Sequence, residues 1–180
     1  VSNRILNCLT EYGAVATFFE VGENVEKYPE VVEREADLGM EIGNHTWGHP
    51  NLVTLDRDDV RNQVEWTNEE LVDACGQSAT VFRPPYGSTD DATNEIIDMP
   101  VILWSVDTLD WKSRDADSII EVVEAAEGHK IDEDDDHDSD EAADYSNVNR
   151  SCCRKVHTEK KSRNNSGKVG NRLVTLHYFS

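Results

Sequence analysis

Residues 16–45 read ATFFEVGENVEKYPEVVEREADLGMEIGNH, and their pattern decides the fold. Ala16-Thr17-Phe18-Phe19-Glu20-Val21 is a short apolar run ended by Gly22, the signature of a buried strand. Tyr28 to Leu38 follows with Val31, Val32 and Leu38 on one side, which predicts a helix stopped at Gly39. Met40-Glu41-Ile42-Gly43 then reads as a second strand that ends where His45 begins. Strand, helix and strand in this order predict a parallel pair joined by a crossover helix.

The pattern continues in both directions. Upstream, Ile5, Leu6 and Leu9 have helical spacing directly after Val1-Ser2-Asn3, with no strand before them, so an N-terminal piece is expected to precede Val1. Downstream, Asp56 to Cys75 predicts a long helix that begins on an acidic cap and carries Val60, Val64, Leu71 and Val72. Thr80-Val81-Phe82 and Val101-Ile102-Leu103-Trp104-Ser105-Val106 predict two more strands, and Ser118 to Ala126 another helix. After Gly128 the character changes. Asp132 to Asp144 is acidic and Arg150 to Arg172 is basic and rich in Ser and Asn, as expected of solvated, irregular chain. The expected organisation is a core over 1–128, a charged segment over 129–172 and a possible closing strand within 173–180.

Composition narrows the partners. A net charge of −20 over 180 residues argues against nucleic acid, because an acidic surface repels phosphates. A neutral polymer such as a glycan stays allowed. There is no apolar run of about 18 residues to cross a bilayer, and no signal-like start. Cys8, Cys75 and the adjacent Cys152 and Cys153 match neither a disulfide framework nor a zinc ribbon, and read as free thiols.

Polar residues follow three of the expected strands directly: His45, Arg83 and Asp107. In parallel α/β folds that rim collects function, because side chains from several strands converge there. His45-Thr46-Trp47-Gly48-His49 sets two imidazoles four residues apart; in a helical turn both would face one divalent cation, although two polar loop histidines have the same spacing. Arg83-Pro84-Pro85-Tyr86-Gly87 is stiffened by its prolines and suits holding an arginine at a reacting centre, or simply makes an ordered turn. Asp107-Thr108-Leu109-Asp110-Trp111 brings two carboxylates and an indole. Trp47, Tyr86 and Trp111 near one rim would suit the apolar face of a sugar ring, against the plainer role of core packing.

Together these segments resemble the polysaccharide deacetylases of the NodB homology group, carbohydrate esterase family 4. His45-Thr46-x-x-His49 is similar to the family's H-[ST]-x-x-H motif, Arg83-Pro84-Pro85-Tyr86 to R-P-P-Y, and Asp110-Trp111 to the end of D-x-x-D-W. The resemblance implies an α/β fold, a distorted (β/α)7 barrel of NodB type, here missing its first strand. It implies a divalent metal, zinc or cobalt, held by His45 and His49, with Arg83 and Asp110 supporting catalysis and Tyr86 and Trp111 facing substrate. The implied substrate is an acetylated glycan, peptidoglycan or chitin-like, and the implied location is extracellular or cell-wall associated.

Two departures accompany the resemblance. The family's T-F-D-D-G-P segment, which supplies the base aspartate and the third metal ligand, does not occur in residues 1–180 and is expected just before Val1. The family's closing Leu-x-His strand is matched only by the charged run Ile131 to His137, which makes His137 the nearest candidate acid, with His177 another. A catalytically silent metal- or glycan-binding barrel, or a small cyclic-amide hydrolase of the same fold, are the alternatives.

Overall fold

The computed structural model describes residues 2–127 and the backbone of 173–175; the acidic run, the basic stretch, His137 and His177 lie outside the described residues. In chain order the elements are α1 (Ser2–Tyr12), β1 (Val15–Glu20), α2 (Gly22–Lys27), α3 (Pro29–Asp37), β2 (Glu41–Asn44), α4 (Arg57–Cys75), β3 (Val81–Phe82), α5 (Asp91–Asn94), α6 (Asp110–Ser113), α7 (Ala116–Glu127) and β4 (Leu173–Thr175). Two compact units divide the described residues, 16–103 forming one and 3–15 with 104–127 the other.

In the 16–103 unit, β1, β2 and β3 are parallel, β2 lying between the other two. The register pairs Glu20 with Asn44 and Asn44 with Phe82, so the three carboxyl ends are level. Glu41 fixes the other end: its carboxylate accepts from Thr17 Oγ1 at 2.6 Å and from Thr80 Oγ1 at 2.9 Å.

Strand alternation sorts the side chains between two faces. Ile42 joins Val25, Val32 and Leu71 in a cluster shared with α2, α3 and α4. Phe82 lies with Leu52, Val60, Val64 and Ile97 in a second one. The opposite face carries Phe19, Gly43 and Arg83: a Cβ on Gly43 would come within 2.6 Å of the Phe19 ring, and the Arg83 guanidinium carbon sits 4.0 Å from that ring's centroid.

Helix α4 starts where an acidic cap was expected. Asp56 accepts from the amides of Asp58 and Asp59 at 3.0 and 2.9 Å, which satisfies two donors that the first helical turn leaves open. Gly76 closes the helix at φ 77, a conformation that costs glycine little. Val60, Val64 and Leu71 are buried as expected, whereas Val72 is 46% exposed and lies off the core stripe.

Two further expectations need correction. Gly22 does not merely end a strand; it opens α2, a helix too short to announce itself by periodicity. The run Val101 to Val106 is not a strand beyond a single bridge between Val101 and Phe82. Ile102 donates to the Phe82 carbonyl at 2.8 Å, but its own carbonyl is taken by Arg83 Nε at 3.2 Å instead of a ladder amide. Apolar composition in that run is therefore not matched by continued pairing, and Leu103 is 49% exposed. In the other unit α1 buries Leu6 and Leu9, and Asp115 caps α7 by accepting from the Ser118 amide and hydroxyl at 3.0 and 2.7 Å. Cys8 and Cys75 are free thiols, as expected.

One polar pair is out of place in this core. Glu35 on α3 is 1% exposed and shares a side-chain hydrogen bond with Glu20 at the end of β1. Burial, then the neighbouring Glu20 charge, push the Glu35 carboxyl up to about 9, so Glu35 is the donor of that bond. Burial also raises Glu20, to about 7. Both values lie above the ordinary 4.5, so the folded chain holds more protons than the unfolded chain from about pH 4.5 to 9. Stability therefore falls as pH rises through this window, by about 1.4 kcal/mol per pH unit for each extra proton. The melting temperature is predicted to drop by roughly 5 °C or more between pH 5 and pH 9. Glu35→Gln, which keeps a donor toward Glu20, should flatten that dependence and make the variant the more stable protein at pH 9; a wild-type melting temperature that is level or rises with pH would contradict this.

Candidate functional site

Level strand ends place His45 and Arg83 side by side, each one residue beyond the paired Asn44 and Phe82. Backbone bonds extend the order past the sheet: the His45 amide donates to the Glu20 carbonyl at 2.9 Å and the Arg83 amide to the Asn44 carbonyl at 3.0 Å. Gly22 and Glu23 donate to the carbonyls of Thr46 and Trp47, each at 3.0 Å.

His45 is 4% exposed, and its Nδ1 lies 2.6 Å from the Arg83 carbonyl oxygen. A carbonyl only accepts, so Nδ1 carries a hydrogen, and in the neutral ring the lone pair then falls to Nε2. The His49 ring stands 4.8 Å from the His45 ring, centroid to centroid, with planes at 70°. Burial holds the His49 imidazole below its usual range, against a smaller opposing pull from a backbone hydrogen bond. A neutral ring at this position is the form that offers a nitrogen lone pair.

The two rings meet, but not through the helical turn considered from their spacing. Thr46 and His49 both adopt left-handed backbone, at φ 70 and φ 59. For non-glycine residues, and a β-branched threonine above all, that costs about 1–3 kcal/mol each. Surrounding bonds hold it: Asn44 Oδ1 accepts from the Thr46 amide at 2.8 Å, Thr46 Oγ1 from the His49 amide at 3.0 Å, and Gln63 Oε1 from the Gly48 amide at 3.0 Å. Trp47, between the histidines, packs against Gly22 and makes an edge contact with Trp66 at 6.3 Å.

Arg83 is 2% exposed, with its guanidinium against Phe19 and its Nε on the Ile102 carbonyl. Tyr86 is 66% exposed, takes φ 62, and lays its ring 4.9 Å from His49. His45, His49, Arg83 and Tyr86 are thus gathered at one rim of the 16–103 unit. Asp107, Asp110 and Trp111 belong to the other unit. There Asp110 opens α6 and accepts from Thr108 Oγ1 at 3.3 Å, Asp107 accepts from the Leu109 amide at 3.0 Å, and Trp111 is 62% exposed. Among the described residues, no three His, Cys, Asp or Glu side chains converge to hold a metal ion. Asn44, Gln63, Asn68 and Phe19 were not foreseen at this rim.

The sequence model of the polysaccharide deacetylase family matches residues 1–99. The chain belongs to the polysaccharide deacetylase family. Among family relatives, it is 43% identical over 121 residues to a peptidoglycan-N-acetylglucosamine deacetylase of Bacillus cereus, a match that takes in 64% of this chain and 43% of that protein. The fold is that of solved family deacetylases. The T48 deacetylase with substrate matches at TM-score 0.68 and 39% identity, over 72% of this chain and 64% of that one. A CE4-family pseudoenzyme from Bacillus anthracis matches at TM-score 0.66 and 36% identity, over 69% and 45%. The chain therefore spans less than half the length of the curated Bacillus cereus deacetylase.

Close packing at Gly22 supplies a test of the loop. A Cβ there would lie 2.4 Å from Trp47 Cε3 and 2.9 Å from Thr67 Oγ1, closer than side chains tolerate. Gly22→Ala is predicted to destabilise by about 1–3 kcal/mol and to shift the fluorescence of Trp47. An unchanged urea midpoint and emission spectrum would show that the indole does not sit on that glycine.

Proposed function

We propose that this family member is a metal-dependent hydrolase that removes N-acetyl groups from N-acetylglucosamine units of a peptidoglycan or chitin-like polymer, acting at the cell wall. The observation that carries this is the His45–His49 pair: two imidazoles 4.8 Å apart, one with Nδ1 engaged by a carbonyl so that its neutral form bears the lone pair on Nε2. Relatives named as peptidoglycan and chitin deacetylases support the substrate class. No helix among the described residues is long and apolar enough to cross a membrane.

The donor set fits part of a divalent zinc or cobalt site. His45 and His49 would hold the cation, and a third ligand would come from outside the described residues. When bound, such a cation supplies Lewis acidity and a water acidified toward neutral pH. The chain's own residues contribute the rest. Buried Arg83 holds a fixed positive charge against Phe19 at the same rim, suited to lowering a carboxylate's pKa and aiming it. Tyr86 holds its backbone in a strained turn beside His49, with the amide available to an oxyanion and the exposed ring to a sugar face. Asp110 would tune a general-acid histidine, for which His137 is the candidate, and Trp111 would line the groove.

A silent barrel is the second reading, supported by the likeness to a CE4-family pseudoenzyme. Acetate release from a chitooligosaccharide in the presence of zinc separates the two. A general base contributes about 10²–10⁴ in rate. The polypeptide of residues 1–180 alone is therefore predicted to run at least about 100-fold slower than the same polypeptide joined to a T-F-D-D-G-P strand, with the joined form losing its activity on His45→Ala. A joined form that is inert while still folded would favour the silent reading.

A further inference from the structure

Helix α4 carries no residue of the deacetylase motifs, yet it grips the histidine loop at two points. Asn44 is completely buried on the helix-facing side of β2, and its Nδ2 donates to the Val64 carbonyl at 2.9 Å and to Asn68 Oδ1 at 3.0 Å. Both amide hydrogens are then used, which leaves Oδ1 pointed at the Thr46 amide, 2.8 Å away. Five residues before Asn68 on the same helix, Gln63 Oε1 receives the Gly48 amide at 3.0 Å. Thr46 and Gly48 flank Trp47 within the His45–His49 turn, and Thr46 in turn receives the His49 amide. Each link is a bond between a named donor and a named acceptor, and the chain runs from α4 to His49, while His45 is joined to Asn44 and Thr46 on either side through its own backbone.

We propose that Asn68 and Gln63 are positioning residues of α4 that set the His45–His49 geometry, Asn68 through Asn44 and Thr46, Gln63 through Gly48. The proposal deepens the metal-dependent reading above and rests on it for the cation. An alternative without such a role would have both residues serve only to pack α4 on the sheet. Chemistry distinguishes the two, because Asn68 acts as an acceptor: aspartate at that position still accepts from Asn44, whereas leucine has the same branching and number of heavy atoms and cannot.

The test measures zinc affinity by competition with a chromophoric chelator, and the backbone amide shifts of Thr46, Gly48 and His49 in the metal-free protein, for the full chain and its variants. Partners that orient metal-binding side chains are worth about 10- to 100-fold in affinity. Asn68→Leu is expected to weaken zinc at least about 10-fold and to move the Thr46 and His49 amides, while Asn68→Asp stays within about threefold of wild type and leaves them in place. Gln63→Leu is expected to move the Gly48 amide and weaken zinc in the same direction, and it carries the test if Asn68→Leu does not fold. Equal losses in Asn68→Leu and Asn68→Asp, or none in Asn68→Leu and Gln63→Leu, would overturn the proposal. Wild-type protein that binds no zinc while Asn68→Leu still moves the amides would sink the metal reading and keep the positioning role.

Discussion

The 2.6 Å hydrogen bond from His45 Nδ1 to the Arg83 carbonyl is the contact on which the rest of the rim depends. It joins the loop after β2 to the loop after β3, and it decides which nitrogen of His45 keeps a lone pair. It forms only because the strands are in register: Asn44 opposite Phe82 sets His45 and Arg83 level, and a slip of one residue would leave them on opposite faces. A backbone acceptor also suits the task better than a side chain, since it cannot swing away or change charge with pH.

Around that bond the chain accepts several costs. Thr46, His49 and Tyr86 adopt left-handed backbone, and the Arg83 guanidinium is buried against Phe19. Such features persist where neighbouring bonds over-determine them, and they concentrate at functional sites. Here the supports are visible: Asn44, Thr46 and Gln63 take the turn's amides, and Gly22 and Gly43 make room for Trp47 and Phe19. The Glu20–Glu35 pair is a different case. It sits on the first strand and third helix, and its cost depends on pH, which links the core's stability to conditions that the rim itself does not set.

Much of this was legible in the residues and some was not. The strand over Val15–Glu20 and the helix over Arg57–Cys75 follow from apolar runs and an aspartate cap, because burial and capping are local demands. The pairing of the histidines was foreseeable from spacing and position; the turn that achieves it was not, since no residue rule anticipates a threonine at φ 70. Val101 to Val106 misled because apolar composition reports burial and not hydrogen bonding, and here a side chain takes the carbonyl that a ladder would need. Gln63 and Asn68 carry no signal in the residues: an acceptor for a distant loop amide leaves no periodic trace in one sequence. Asp110, Trp111 and His137 rest on motif likeness alone.

The tautomer of the His45 ring is read most directly by nitrogen-detected NMR of the histidine side chains in the metal-free protein. The expected result is a His45 ring with its hydrogen on Nδ1, coupled across a hydrogen bond to the Arg83 carbonyl. A His45 ring protonated on Nε2 alone, or one that exchanges freely between tautomers, would contradict it.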